Sequence, residues 1–182
     1  MTRFLRSALT AGALCIPAAV LVPATPSSAG DDKKHTGTTQ SVVTEAKDVK
    51  WGNGPASLPP GARAAVLDGD PTKKGPFTMR AKLPANYRIA PHHHPADERV
   101  TVISGTAKIG MGEKFDEAKM TSLPAGGYFS MPRGHRHYFG TGGEETVIQI
   151  NGIGPWEIVY VNPADDPRKQ KGQSKTAPDS AP

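Results

Sequence analysis

Cysteine is nearly absent from this sequence, and aromatic side chains are scarce. The only cysteine, Cys15, lies in an apolar N-terminal segment, and aromatic residues make up 6% of the 182 residues. If that segment is removed on export, the remaining chain has no thiol, which excludes disulfide bonds and cysteine catalysis. An apolar core must then hold the domain together, unless a bound metal helps.

The sequence also lacks the motifs of several common functions. Its basic residues are scattered and have no interleaved aromatic residues, so we expect no nucleic-acid binding. Gly110-x-Gly112 lacks the third glycine and the following helix of a phosphate-binding loop. No plausible Ser-His-Asp nucleophile arrangement is present. Nucleotide binding and nucleophilic hydrolysis are therefore poor fits.

Residues 1–29 have the pattern of a secretory signal peptide. Arg3 and Arg6 give a basic start, residues 7–22 are small and apolar, and Ser27-Ser28-Ala29 supplies the small residues of a cleavage site. The apolar run is short for a membrane span of about 20 residues, so we expect no stable membrane anchor. We therefore predict a secreted or periplasmic protein.

Composition divides the rest of the chain into one domain between two tails. Residues 30–47 are rich in Lys, Thr and Gly and predict a flexible lead-in. Residues 164–182 have no bulky apolar side chain and predict a disordered tail. Between them, residues 48–163 contain many short apolar runs cut by glycine and proline, which is typical of an all-β sandwich or barrel.

Two neighbouring apolar runs predict a β-hairpin. Residues 99–103 and 106–111 both have strand character, and only Ser104-Gly105 separates them. A tight turn with glycine is the usual connection between paired antiparallel strands.

A first histidine cluster ends a predicted strand. Because side chains alternate along a strand, His92 and His94 share one face while His93 points to the other. If the chain stays extended, Glu98 returns to the face of His92 and His94. Two imidazoles and one carboxylate suit a divalent first-row metal, although a solvated run of histidines would give the same pattern.

A second cluster begins a later predicted strand. His135 and His137 follow a turn at Gly134 and share one face by the same alternation. One or both can reach the first cluster if the sheet closes on itself. Taken alone, His137 is better explained as a buried histidine that bonds to backbone.

Together the clusters resemble the two motifs of the cupin superfamily, in particular its small, germin-like metal-binding members. The first motif is matched by His92-x-His94, Glu98 and Gly105, and the second by Gly126, Pro132-x-Gly134 and His137. All spacings agree. Asn86 stands where the first motif opens with glycine, and Thr141 stands where the second ends in asparagine. Asn86 can still form a turn, and Thr141 is not expected to touch a metal.

The resemblance implies a fold and a ligand set. The fold is a single cupin-type jelly-roll β-barrel with disordered N- and C-terminal tails. One divalent ion, Mn, Fe, Ni or Zn, would be bound by His92, His94, Glu98 and His137. The family spacing selects His137, whereas strand parity alone leaves His135 as its alternative. His93 is expected to be a non-ligand.

Three neutral imidazoles and one carboxylate would leave a divalent ion with a net charge of +1 and two open positions. We therefore expect a small-molecule ligand or substrate, such as an anionic chelator of the dicarboxylate, β-dicarbonyl or catechol type. Arg88 and Gln149 either orient it or lie on the surface. The protein is then a small metal-dependent enzyme of the dioxygenase, decarboxylase, lyase or isomerase type, or a non-catalytic binding module. A homodimer is one open option for its assembly.

Overall fold

The computed structural model describes residues 41–170. These residues form eleven β-strands and very little helix. The strands are β1 (Gly52–Asn53), β2 (Arg63–Gly69), β3 (Gly75–Leu83), β4 (Arg88–His93), β5 (Glu98–Ser104), β6 (Thr106–Met111), β7 (Thr121–Pro124), β8 (Tyr128–Met131), β9 (His137–Thr141), β10 (Thr146–Gly154) and β11 (Val159–Tyr160). Single 3-10 turns occur at Ala46–Asp48, Glu117–Lys119 and Pro163–Asp165, and α1 is one turn long (Pro167–Gln170).

The strands form two antiparallel sheets. One has the order β1-β2-β3-β10-β5-β8, and the other has the order β11-β4-β9-β6-β7. Strands distant in sequence, such as β3 and β10, are neighbours, as in a jelly roll. The all-β jelly-roll architecture predicted from the sequence is confirmed.

The core lies between the sheets, and the period of two along the strands builds it. In β3 every second side chain from Phe77 to Leu83 is buried, and β10 pairs with β3 along its full length. Ile148 and Ile150 of β10 face the same interior. Central strand β9 is buried at all five positions, so its first residue, His137, is only 1% exposed.

The predicted hairpin at Gly105 is wrong. Strand β5 pairs with β10 and β8, whereas β6 pairs with β9 and β7 in the other sheet. Gly105 therefore carries the chain from one sheet to the other. Its φ of +74° lies in the left-handed region that favours glycine. A tight glycine turn can join two paired strands or carry the chain between two sheets. The local sequence pattern does not distinguish these two cases.

Replacing Gly105 by alanine should destabilise the fold more than the same change at Gly134. The two glycines have nearly equal φ values, +74° and +75°, so both variants carry the left-handed penalty of about 1–2 kcal/mol. Only at Gly105 would the new Cβ clash, at 2.5 Å from the Glu145 carbonyl oxygen, which brings the expected cost to about 3 kcal/mol or more. Denaturant unfolding of both variants with a chelator present measures the difference. Equal costs would contradict the close packing at this crossing.

The predicted disordered tail begins too early. Residues 164–170 belong to the described structure, where the Arg168 guanidinium donates to the carbonyl of Ile158 and pairs with Asp166. Asp166 is buried despite its charge, because Arg168 and the backbone around it satisfy its carboxylate. The sequence rule missed this segment because a polar ion pair, rather than apolar burial, anchors it.

The remaining terminal predictions lie outside the described residues. They are the signal peptide at 1–29, most of the lead-in at 30–47, and the tail from 171 onward. Within residues 41–170, no helix has the length and apolar character needed to cross a membrane.

Candidate metal centre

Three strands bring the four predicted ligands to one place in the interior. His92 on β4 is the cross-strand partner of His137 on β9, and His94 follows β4 directly. Glu98 is the first residue of β5, in the opposite sheet. All four side chains are buried, with exposures between 1% and 6%. The cluster therefore joins the two sheets.

The distances within this cluster suit a shared small ion. One ring nitrogen from each histidine can be chosen so that all three lie within 4.8 Å of one another. The Oε2 atom of Glu98 lies 3.6 Å from Nε2 of His94 and 3.4 Å from Nε2 of His137. These atoms converge on one point without bonding tightly to each other.

Backbone carbonyls fix the orientation of all three imidazoles. The Nδ1 atoms of His92, His94 and His137 lie 2.8, 2.7 and 3.0 Å from carbonyl oxygens of Ala90, Glu157 and His135. A carbonyl can only accept, so each Nδ1 carries the proton and each Nε2 is left with a bare lone pair. Such outer bonds hold metal-binding histidines in the required tautomer.

Burial favours the neutral form of these rings. Desolvation, with the neighbouring rings of His137 and His94, holds the pKa of His92 well below its ordinary value. Desolvation also lowers the pKa of His94, against the opposing effect of the Glu98 carboxylate. Neutral imidazoles are the form that coordinates a cation.

Two polar atoms of the cluster have no hydrogen-bond partner among the described residues. They are Nε2 of His94 and Oε2 of Glu98, and both are buried. Buried polar atoms without partners are rare and call for an explanation such as an ion. A lone-pair nitrogen beside a carboxylate oxygen is a donor set that fits a divalent cation.

The cluster opens into a small apolar cavity of about 40 Å³. Apart from the four cluster residues, the lining is entirely apolar or aromatic: Pro55, Leu58, Met79, Ala81, Leu83, Ile89, Phe129, Phe139, Ile148, Ile150, Trp156 and Ile158. No lysine or arginine of the described residues lines it.

Residues 54–60, the covering loop, close one side of the cavity with Pro55 and Leu58. Two buried tyrosines hold its backbone: the Tyr160 hydroxyl donates to the Ser57 carbonyl at 2.7 Å, and the Tyr87 hydroxyl donates to the carbonyl of Pro59. Burial, with the charge of Asp166, raises the pKa of Tyr160 to about 12. Tyr160 therefore stays protonated and keeps its donor.

The structure brings Glu98 to the cluster for a different reason from the predicted one. The extended chain assumed between His94 and Glu98 does not exist, because β4 ends at His93 and a turn leads into the opposite sheet. Glu98 faces the histidines across the interior. The spacing of the family motif identified Glu98 correctly. The alternation of side chains along a strand predicted the wrong course of the chain between His94 and Glu98.

The other histidines lie outside the cluster. The predicted strand at His135 begins two residues later, at His137, so His135 is exposed and contributes only its carbonyl oxygen. His93 is half-buried and does not line the cavity.

Neither polar residue considered for orienting a substrate reaches the cavity. The Arg88 side chain is mostly exposed and pairs with Glu117 at 2.5 Å. Gln149 accepts a hydrogen bond from Arg80 at 3.1 Å on the outer side of the sheet. The surface interpretation of both residues is the correct one.

Sequence reasoning missed the role of the segment that follows β10. Trp156 stacks on the His94 ring with centroids 4.2 Å apart and planes at 15°, and the next carbonyl, that of Glu157, orients His94. No local spacing marks Trp156, because its position depends on how β10 and β11 are placed relative to β4.

The two departures from the cupin motifs have clear structural roles. Asn86 has a φ of +55° and is the single non-glycine residue with positive φ in the described range. Asparagine tolerates this conformation better than most residues. The Thr141 hydroxyl donates to the Pro84 carbonyl and accepts from the Tyr87 amide. Both substitutions therefore preserve the turn that leads into β4.

Solved structures with the same fold include a protein described as a cupin and two described as enzymes. A polyketide cyclase, RemF, from Streptomyces resistomycificus has 18% identity and a TM-score of 0.57, with 74% of this chain and 95% of that chain covered. A candidate acetylacetone dioxygenase from Methylibium petroleiphilum PM1 has 20% identity and a TM-score of 0.54, with 76% and 97% covered. An RmlC-like cupin from Ralstonia eutropha JMP134 has 18% identity and a TM-score of 0.53, with 70% and 76% covered.

Sequence comparison gives a family but no characterised relative. No curated protein matches the chain. Residues 20–159, well over half of the chain, match the family model described as "Domain of unknown function (DUF4437)". The chain therefore belongs to the DUF4437 family, and it shares the fold of these solved structures.

Proposed function

We propose that this protein binds one divalent metal ion through His92, His94, Glu98 and His137 and uses it to transform a small oxygen-rich molecule. The observation that carries the proposal is the pair of unpartnered buried atoms, His94 Nε2 and Glu98 Oε2, 3.6 Å apart. Manganese, iron, nickel and zinc all accept such nitrogen and oxygen ligands.

Electrostatics supports a bound cation. The Glu98 side chain is buried, and burial lowers the pKa of His92 and of His94, which favours their neutral forms. A buried charge without a compensating partner costs several kcal/mol. A divalent ion between the carboxylate and the three Nε2 lone pairs would remove that cost.

When bound, the metal supplies a Lewis-acid or redox centre for an oxygen-bearing ligand. The chain supplies the rest. Carbonyls of Ala90, Glu157 and His135 orient the imidazoles. The apolar walls and the covering loop keep bulk water from the cluster. This arrangement suits a small ligand better than a polymer.

A non-catalytic binding module is the second candidate, and the cavity wall is the observation that favours it. Within residues 41–170, no titratable side chain lines the cavity besides the four proposed ligands. An enzyme here would have to draw its chemistry from the metal or from Glu98. Polyketide cyclisation and acetylacetone oxidation are named for structures of this fold, and either type of substrate is a small oxygen-rich molecule. We favour the enzyme.

We also propose that the protein acts outside the cytoplasm. The pattern of residues 1–29 supports this proposal, with basic residues, a short apolar run and a small-residue cleavage site. Mass spectrometry of protein from an exporting host tests it. A mature chain that begins near Gly30 supports export, and an uncleaved cytoplasmic chain contradicts it.

Product analysis with and without metal tests the enzyme proposal. Metal-stripped protein and samples loaded with each of the four ions are incubated in air with β-dicarbonyls, catechol-like acids and dicarboxylates. We expect turnover of one class with one preferred ion and none after stripping. A ligand that binds the loaded protein and is recovered unchanged in every sample would establish the binding module instead.

A further inference from the structure

Trp156 lines the cavity and carries a hydrogen-bond donor that neither the fold nor the cluster uses. The Nε1–H of Trp156 is buried and has no partner among the described residues. A buried indole N–H usually finds an acceptor, because leaving it without one costs free energy. Since Trp156 lines the cavity, an acceptor atom of a bound ligand can meet this donor.

Trp156 is held firmly in place. Its ring stacks on His94 at 4.2 Å, and the Phe77 ring lies 5.9 Å away on a tilted plane. Its backbone amide donates to the Pro71 carbonyl at 2.8 Å. A donor fixed beside a proposed metal ligand is pre-organised to receive an atom of a metal-bound molecule.

The charges around the cavity restrict what that molecule can be. With three neutral histidines and the Glu98 carboxylate, a divalent ion keeps a net charge of +1. A single negative charge on the ligand neutralises it. A second negative charge would have no partner, because no lysine or arginine lines the cavity and Arg88 is engaged outside with Glu117.

We propose that the ligand of this cavity is a monoanionic oxygen chelator with an apolar body, and that one of its oxygens accepts a hydrogen bond from Nε1 of Trp156. This inference rests on the proposed metal site. It selects β-diketonate-like compounds from the classes that the ligand set alone allows, and it disfavours dicarboxylates. Trp156 acts in it as a specificity-determining residue.

Acetylacetone and malonate form a matched pair of probes. Both can chelate a metal through two oxygens separated by three carbons, but acetylacetone binds as a monoanion with methyl ends and malonate as a dianion. Calorimetry on the zinc-loaded protein measures both affinities, and elemental analysis of the same samples records the metal content. We expect acetylacetone to bind at least about 10-fold more tightly than malonate.

Trp156→Phe removes the donor while keeping an aromatic ring against His94. We expect it to weaken acetylacetone binding by about 5- to 10-fold and to leave the zinc content unchanged. Trp51→Phe is the matched control, because Trp51 lies outside the cavity with the Lys82 ammonium 4.9 Å from its ring. That variant should bind both probes like the wild type. Trp156 is then the only tryptophan, so its emission should change when acetylacetone is added.

The outcomes separate the two proposals. If the protein takes up no zinc, the metal site itself is wrong and this inference falls with it. If zinc binds but malonate equals or exceeds acetylacetone, or neither probe binds, the charge argument is overturned. If Trp156→Phe binds zinc and acetylacetone as the wild type does, the indole has no role. The comparison of probes on the wild type remains decisive even if the Trp156 variant does not fold.

Discussion

Replacing Glu98 by glutamine should weaken metal binding and at the same time stabilise the metal-free protein. The Glu98 side chain is buried, and without a cation its Oε2 atom has no hydrogen-bond partner among the described residues, which costs free energy. An amide of the same shape removes that cost, and we expect a gain of about 1–3 kcal/mol in the free energy of unfolding without metal. With metal, loss of the only anionic ligand should lower the affinity by on the order of 100-fold or more.

Glu157→Gln is the matched control for this experiment. Glu157 is exposed, and only its backbone carbonyl contacts the cluster, through Nδ1 of His94. We expect this variant to keep both the metal affinity and the stability of the wild type. Denaturant unfolding with a chelator and calorimetric titration with zinc give the two readouts. A Glu98→Gln protein that binds metal normally, or that is less stable than the wild type without metal, would be evidence against a carboxylate ligand.

Replacing His137 by alanine should abolish the stabilisation that metal gives to the wild-type protein. His137 begins the central strand of its sheet, and its Nε2 lies 3.4 Å from the Glu98 carboxylate. Loss of one of four ligands should lower the metal affinity by on the order of 100-fold or more. The increase in melting temperature on addition of zinc should then vanish at moderate zinc concentrations.

His135→Ala is the control, because it removes an imidazole only two residues away. The His135 side chain is exposed, and the carbonyl that orients His137 belongs to the backbone, which the substitution keeps. We expect a normal thermal shift with zinc. If His135→Ala lost the shift and His137→Ala kept it, the ligand assignment on this strand would be wrong.

The sequence predicted the fold class and the cluster residues because both follow from short-range pattern. Short apolar runs between turns specify strands of an all-β domain, and the spacing of His92, His94, Glu98 and His137 matches a family pattern. The course of the chain between these residues could not be predicted from short-range patterns. Side-chain alternation along one strand predicted that Glu98 and His94 share a strand face. In the structure, His94 follows β4 and Glu98 begins β5, and these strands belong to two sheets that face each other.

The parts that the sequence did not predict depend on long-range packing. Gly105 resembles a hairpin turn locally, and only the pairing of β5 with β10 shows that it joins two sheets. Trp156 meets His94, which is far from it in sequence, because β11 pairs with β4. The covering loop reaches the cavity from before β2, held by the hydroxyls of Tyr87 and Tyr160. None of these contacts leaves a periodic signal.

The metal content of the purified protein tests the central claim most directly. The protein is produced without a histidine tag, exported by its host and analysed for all first-row metals. The account predicts about one divalent ion per chain and a melting temperature that falls when a chelator removes it. A metal-free protein whose melting temperature is unchanged by added manganese, iron, nickel or zinc would contradict it.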